Sequence, residues 1–365
     1  MSHPPTTVLE MTGQMLMSGF EGTTLNKETE DLIRNRHVGG LILFSRNYEN
    51  PKQLHTLIRD LQDVATSTST GLPLFISVDQ EGGRVARLTE PFTKYPPLCC
   101  LGHAQSESLA YRFGQSLAAE LLDVGINMDY APVLDVHTNP DNPIIGDRAI
   151  ASDPDTVAKL ANSFIKGFKD KGMIPVGKHF PGHGDTHVDS HLDLPTVKRD
   201  AATLEAVELV PFRETIAQGL EVIMTAHVIY SAWDNKNTAT FSKTILQDIL
   251  RQKLGFQGVI MSDDLEMKAV EKYFSFDAFP RMGVEAGIDM FLVCNSVEKI
   301  KVLHDQLMKD VSNGTILTAP IQQSVERILR LKKNLTPPPI NPPDPAHWKN
   351  THAPLASEMQ SHLPD

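Results

Sequence analysis

Short apolar runs recur along the chain with longer amphipathic stretches between them, the pattern of strands alternating with helices in a parallel sheet. Eight runs stand out: Met11–Gly19, Val38–Phe44, Leu74–Val78, Ile126–Val133, Ile174–Gly177, Val222–Thr225, Gly258–Met261 and Ile288–Val293. Helical periodicity falls between them, for example over Pro51–Val64, Glu107–Val124, Pro154–Lys171 and Ser242–Leu254. Asn50 before Pro51 and Asp153 before Pro154 each put a side-chain acceptor where a helix's first turn leaves N–H groups unpaired. Eight such units predict an α/β fold, a single-domain (β/α)8 TIM barrel. Right-handed crossovers then bring the C-terminal ends of all the strands to one face, where the chemistry is expected.

The same pattern divides the chain. A last helix is predicted over about Pro320–Lys333, so residues 1–335 make the barrel. The remainder, 336–365, carries PPPINPPDP and no apolar periodicity, and reads as an extended or disordered tail. No repeat of the length used by solenoids or propellers is visible.

Polar residues gather where the barrel model wants them, just after the apolar runs. Asp79 and Glu81 follow the third, His179 the fifth, His227 the sixth, and Asp263 and Asp264 the seventh. The densest group is KHFPGHGDTHVDSH, Lys178–His191, with histidines at 179, 183, 187 and 191. Spacing of four would align metal ligands on a helix, but Pro181, Gly182 and Gly184 break any helix, which predicts a mobile loop over the barrel mouth. Zinc ligation, solvated loop histidines and catalysis compete for this segment. Within it Asp189 stands two residues from His191, close enough for the carboxylate to orient the ring and support an imidazolium that donates and later removes a proton.

In GFQGVIMSDDLEM, Gly255–Met267, a short strand ends in two adjacent acids. Neighbouring strand residues point to opposite faces, so one acid faces the mouth and the other turns away. Two helix-capping acids are the plain reading; a carboxylate aimed into the mouth is also the nucleophile of a retaining glycosidase. In SVDQEGGRVARL, Ser77–Leu88, a Gly-Gly turn is followed by Arg84 and Arg87. Carboxylates and guanidinium groups together suit hydroxyls that both donate and accept, though a structural ion pair needs the same residues. No nucleotide-binding glycine motif and no serine-nucleophile elbow occurs.

Composition narrows the partners. Of 365 residues 41% are hydrophobic and 22% charged, ordinary for a globular chain that can bury a large core. A formal charge of −11 argues against nucleic acid or an anionic membrane as partner. No stretch reaches the length of a membrane span, and the N-terminus lacks the pattern of a signal peptide. Three cysteines, two of them adjacent, suit a reducing compartment, so a cytoplasmic location is expected.

Taken together, VDQEGGRVARL, the GDRA of Gly146–Ala149, KHFPGHGDTHVDSH, MTAHVIY at Met224–Tyr230 and LGFQGVIMSDDL resemble the family 3 glycoside hydrolases, their bacterial β-N-acetylhexosaminidase branch above all. The resemblance covers about residues 10–333. It implies Asp263 as nucleophile, His191 as acid/base assisted by Asp189, and Asp79, Arg87, Arg148, Lys178 and His179 as the residues that hold N-acetylglucosamine. It implies a monomer without cofactor or metal, acting on a small carbohydrate or muropeptide. The short form resembles the enzymes of cell-wall recycling that cut 1,6-anhydro-N-acetylmuramoyl peptides. Substrate-assisted hydrolysis, a phosphorolytic or chitooligosaccharide-directed enzyme, and a sugar sensor on a degenerate barrel are the rival readings. The proline-rich tail is not part of the pattern.

Overall fold

The computed structural model describes residues 4–186 and 194–364. Eight parallel strands close into a barrel: β1 Leu16–Ser18, β2 Gly40–Leu43, β3 Phe75–Val78, β4 Met128–Asp129, β5 Ile174–Phe180, β6 Val222–Thr225, β7 Val259–Asp264 and β8 Met290–Val293. Each pairs with its neighbours in chain order, and β1 closes on β8 through Leu16 opposite Phe291 and Ser18 opposite Val293. All eight predicted runs coincide with a strand, although β5 and β7 run three residues past their predicted ends, so the predicted (β/α)8 TIM barrel is the fold found. The first run was too long, because Val8–Gln14 is helical.

The strands are covered by helices outside and side chains inside, which is why they read as unbroken apolar runs rather than alternating ones. Leu16, Met17, Leu41, Phe75, Ile76, Val222, Ile260 and Phe291 are all buried. The helices Glu107–Val124 and Pro154–Lys171 match their predicted bounds. Their starts follow the expected capping chemistry: Asn50 accepts from Gln53 N at 2.9 Å and Asp153 from Thr156 N at 2.8 Å. Each such cap is worth about 1 kcal/mol. Among the described residues no helix is long and apolar enough to cross a membrane.

Residues 336–365 depart from the expected extended or disordered tail. The prolines do run without regular structure across two barrel helices, with His55 and Arg59 reaching the carbonyls of Pro339 and Ile340. Beyond them Pro345–Thr351 and Ala353–Gln360 are helices packed on the barrel. Trp348 is buried, stacks on Phe92 with centroids 4.7 Å apart and donates its indole N–H to Asp123 at 2.8 Å. One tryptophan, with Leu355, Ala356 and Met359, supplies the apolar surface that the segment's composition hides.

Candidate active site

A cavity of about 600 Å³ opens at the C-terminal end of the barrel. Asp79, immediately after β3, lines it together with Lys178 and His179 of β5, Asp263 and Asp264 of β7, and Cys294 just beyond β8. Arg87 and Arg148 enter from the loops after β3 and β4. Every described residue singled out from the sequence as catalytic or sugar-binding therefore meets in one place.

One wall is a buried ion network. Lys178 Nζ lies 2.7 Å from Asp79 and 2.5 Å from Glu81, and Arg148 grips Glu81 with two bonds of 2.7 and 2.9 Å. Burial works against the charge on Glu81, but Arg148 and Lys178 outweigh it and hold the carboxyl well below its usual range. The same partners, Asp79 and Glu81, overcome burial to keep Lys178 charged, its pKa raised. Arg87 stands at the rim, 3.5 Å from Asp79. Its main chain is fixed by Gln80, whose side chain accepts from Arg87 N at 2.8 Å and Leu88 N at 3.0 Å.

The opposite wall is built on histidines. His179 Nδ1 is 2.7 Å from Asp135, which also accepts the main-chain N–H groups of His179 and His183 at 3.1 and 2.7 Å. His227 donates from Nε2 to the Asp264 carbonyl at 3.1 Å, which leaves Nδ1 to accept from Thr240 at 2.8 Å. That is a neutral ring, in agreement with burial lowering its pKa.

The two acids of β7 differ as alternate strand positions require. Asp264 turns to the main chain, accepting from Glu266 N and Cys294 N at 3.1 Å each, and burial raises its pKa to about 7. Asp263 faces the cavity. Burial alone would raise its pKa, yet His179, the Asp264 N–H at 2.7 Å and Lys178 together keep it below the usual carboxylate value. An ionised carboxylate thus stands in the barrel mouth, able to act as nucleophile or to stabilise positive charge.

A family model, the glycosyl hydrolase family 3 N-terminal domain, matches residues 7–331. The chain belongs to glycosyl hydrolase family 3. The β-hexosaminidase of Nitrosomonas eutropha is 42% identical over 303 residues, 81% of this chain and 85% of that protein. A family 3 β-N-acetylglucosaminidase from Paenibacillus superposes with a TM-score of 0.92 at 38% identity, covering 98% of this chain and 69% of that one. NagZ from Neisseria gonorrhoeae, solved with N-trifluoroacetyl-D-glucosamine, gives a TM-score of 0.73 at 34% identity, covering 87% of this chain and 98% of that one. The protein is accordingly a glycosidase of the β-N-acetylhexosaminidase class.

Within this family 3 site, Asp189 and His191 lie outside the described residues. The segment leading to them is not the mobile loop expected from its glycines, at least as far as Thr186. Asn142 Nδ2 donates to the carbonyls of His183 and Gly184 at 2.8 and 3.0 Å, and Asn139 to that of Thr186 at 2.9 Å. A Cβ on Gly184 would lie 1.7 Å from the Val136 carbonyl oxygen, so here glycine buys close packing rather than freedom. Sequence reasoning passed over Asp135 and gave Glu81, His183 and His227 no role. Asp135 sits in APVLDV after the fourth run, the same signal that marked Asp79 and Asp263. His183 is buried and bonded to Thr186 at 2.9 Å, and burial lowers its pKa to about 4.

Proposed function

We propose that the protein is a retaining exo-β-N-acetylglucosaminidase in which Asp263 is the nucleophile and His191, oriented by Asp189, is the acid/base. The observation that carries this reading is the ionised Asp263 carboxylate in the barrel mouth, opposite a charged wall suited to sugar hydroxyls. In the first step the Asp263 carboxylate attacks the anomeric carbon while the histidine gives its proton to the departing sugar oxygen. In the second step the histidine takes a proton from water, which attacks the same carbon and frees Asp263. Asp79, Arg87, Arg148, Lys178 and His179 hold the N-acetylglucosamine. Glu81 and Asp135 hold Arg148, Lys178 and His179 in turn, so that binding does not have to order them.

The substrate we favour is an N-acetylglucosaminyl-1,6-anhydro-N-acetylmuramoyl peptide, cut in the cytoplasm during peptidoglycan recycling. The likeness to NagZ over 98% of that chain supports it. A chitooligosaccharide is the alternative substrate, since the longer Paenibacillus β-N-acetylglucosaminidase matches 98% of this chain. Product analysis with both substrates decides between them: the muropeptide is expected to be cleaved with the higher kcat/KM, releasing free N-acetylglucosamine. Preference for chitobiose would replace that substrate, and N-acetylglucosamine 1-phosphate formed in phosphate buffer would replace hydrolysis. A strong chelator in the same assay is expected to leave the rate unchanged, since no step needs a Lewis acid.

A further inference from the structure

The loop after β3 carries most of the sugar-facing wall, and it begins with a hairpin, Gln80–Gly82 paired with Val85–Ala86. The hairpin's turn rests on the chain that follows it. Gly83 N donates to the Tyr95 carbonyl at 2.9 Å, and Gly82, at φ +98°, would place a Cβ 2.5 Å from the Pro96 carbonyl oxygen. Residues 92–97 are therefore the bed on which Glu81, and through it Arg148 and Lys178, are set.

That bed is fastened to the barrel at two points. Tyr95 bonds Ser116 at 2.6 Å, and Thr93 donates its N–H to Glu120 at 2.9 Å and its hydroxyl to the same carboxylate. Glu120 is buried, and His352, between the two C-terminal helices, reaches it with Nδ1 2.7 Å away. Trp348, one turn earlier, presses on Phe92. The hairpin faces the C-terminal helices across a groove of about 1040 Å³ between Gly82–Gly83 and Ala346, Lys349 and Ala353. Phe92, Thr93 and Glu120 link them to the bed beneath the hairpin.

We propose that the C-terminal helix pair is a brace for the sugar-binding wall and that His352 is a positioning residue acting through Glu120 and Thr93. The inference rests on the reading that Asp79, Arg87, Arg148 and Lys178 hold the sugar. A brace of this kind sets how well the wall is preformed, so it governs affinity for the non-reducing sugar, while Asp263, carried on β7, keeps its own step. Removing His352 takes away one of the groups that meet the buried Glu120 carboxylate, a loss that breaking an exposed ion pair such as Arg112–Glu358 does not reproduce.

The test is the inhibition constant of N-acetylglucosamine, with KM and kcat, in the full-length chain at a temperature well below every variant's Tm. His352→Ala is expected to raise Ki and KM about fivefold with kcat within about twofold, the size expected for the net worth of one ordinary hydrogen bond. His352→Asn, which can place an amide N–H where Nδ1 stood, is expected to restore most of the affinity. Arg112→Ala is expected to leave Ki unchanged, and Arg87→Met to raise it directly. Unchanged Ki in His352→Ala beside a raised Ki in Arg87→Met overturns the brace and leaves the sugar wall standing. Unchanged Ki in both overturns the sugar wall and the brace with it. Equal losses in the alanine and asparagine variants, matched by a loss in Arg112→Ala, reduce the helices to general stability and overturn the proposal.

Discussion

Two adjacent aspartates end β7, and their surroundings divide the labour. Asp264 is spent on the main chain of Glu266 and Cys294, whereas Asp263 stands ionised in the cavity. Asp263→Asn is expected to lose at least about a thousandfold in kcat, roughly 4 kcal/mol of barrier, with its fold intact. Asp264→Asn is expected to keep most of kcat, because an amide oxygen there can still accept from Glu266 N and Cys294 N. Steady-state kinetics with thermal melts on both variants check this, and the reverse pattern would move the nucleophile by one residue. Asp263, Lys178 and His179 were legible in the sequence because they directly follow apolar runs. Asp135 carries the same signal and was missed, since an acid that works only by holding another side chain has no motif of its own. The role of Glu81 was hidden differently, by contacts with Arg148 and Lys178, which lie 67 and 97 residues further along the chain.

At the scale of elements, the strands and helices were legible because a closed parallel barrel needs uninterrupted apolar strands and amphipathic helices, and both periods show. Loops were not, since their order comes from contacts distant in sequence. The stretch Pro181–Thr186 reads as mobile from its glycines, yet Asn139, Asn142 and Val136 hold it. Its other neighbour is Glu208, buried with one carboxylate oxygen unpartnered among the described residues and the other 3.4 Å from Arg199, which also bonds Asp185 at 2.7 Å. Burial pushes the Glu208 pKa up to about 7 from 4.5. A carboxyl with a raised folded-state pKa binds more protons folded than unfolded between those values, so its contribution to stability is full below about pH 4.5 and is lost as pH climbs through about 7. Glu208→Gln is expected to flatten the fall in Tm over that window and to melt higher than the parent at pH 7.5. An unchanged pH slope in the variant would show that Glu208 stays ionised in the folded protein.

For the whole molecule, the (β/α)8 barrel was legible in the sequence, while 336–365, expected to be extended or disordered, carries two helices. Composition judged the tail on average, and the average is poor in apolar residues; its fold depends on a single Trp348 finding Phe92 and Asp123 on the barrel. Emptying that pocket by Trp348→Ala is expected to cost about 3–5 kcal/mol, seen as a Tm lower by several degrees. A variant that melts with the parent would mean the helices dock without supporting the barrel. The central claim concerns the reaction, and it joins residues from β7 and the loop after β5 in one covalent mechanism. It is tested most directly by trapping with a 5-fluoro analogue of N-acetylglucosaminyl fluoride, followed by peptide mass spectrometry. The account predicts one label per chain, on Asp263, accumulating further in His191→Ala because the step that releases the sugar then lacks its base. Inactivation without any protein label would contradict it, and would give the attacking role to the substrate's own acetamide.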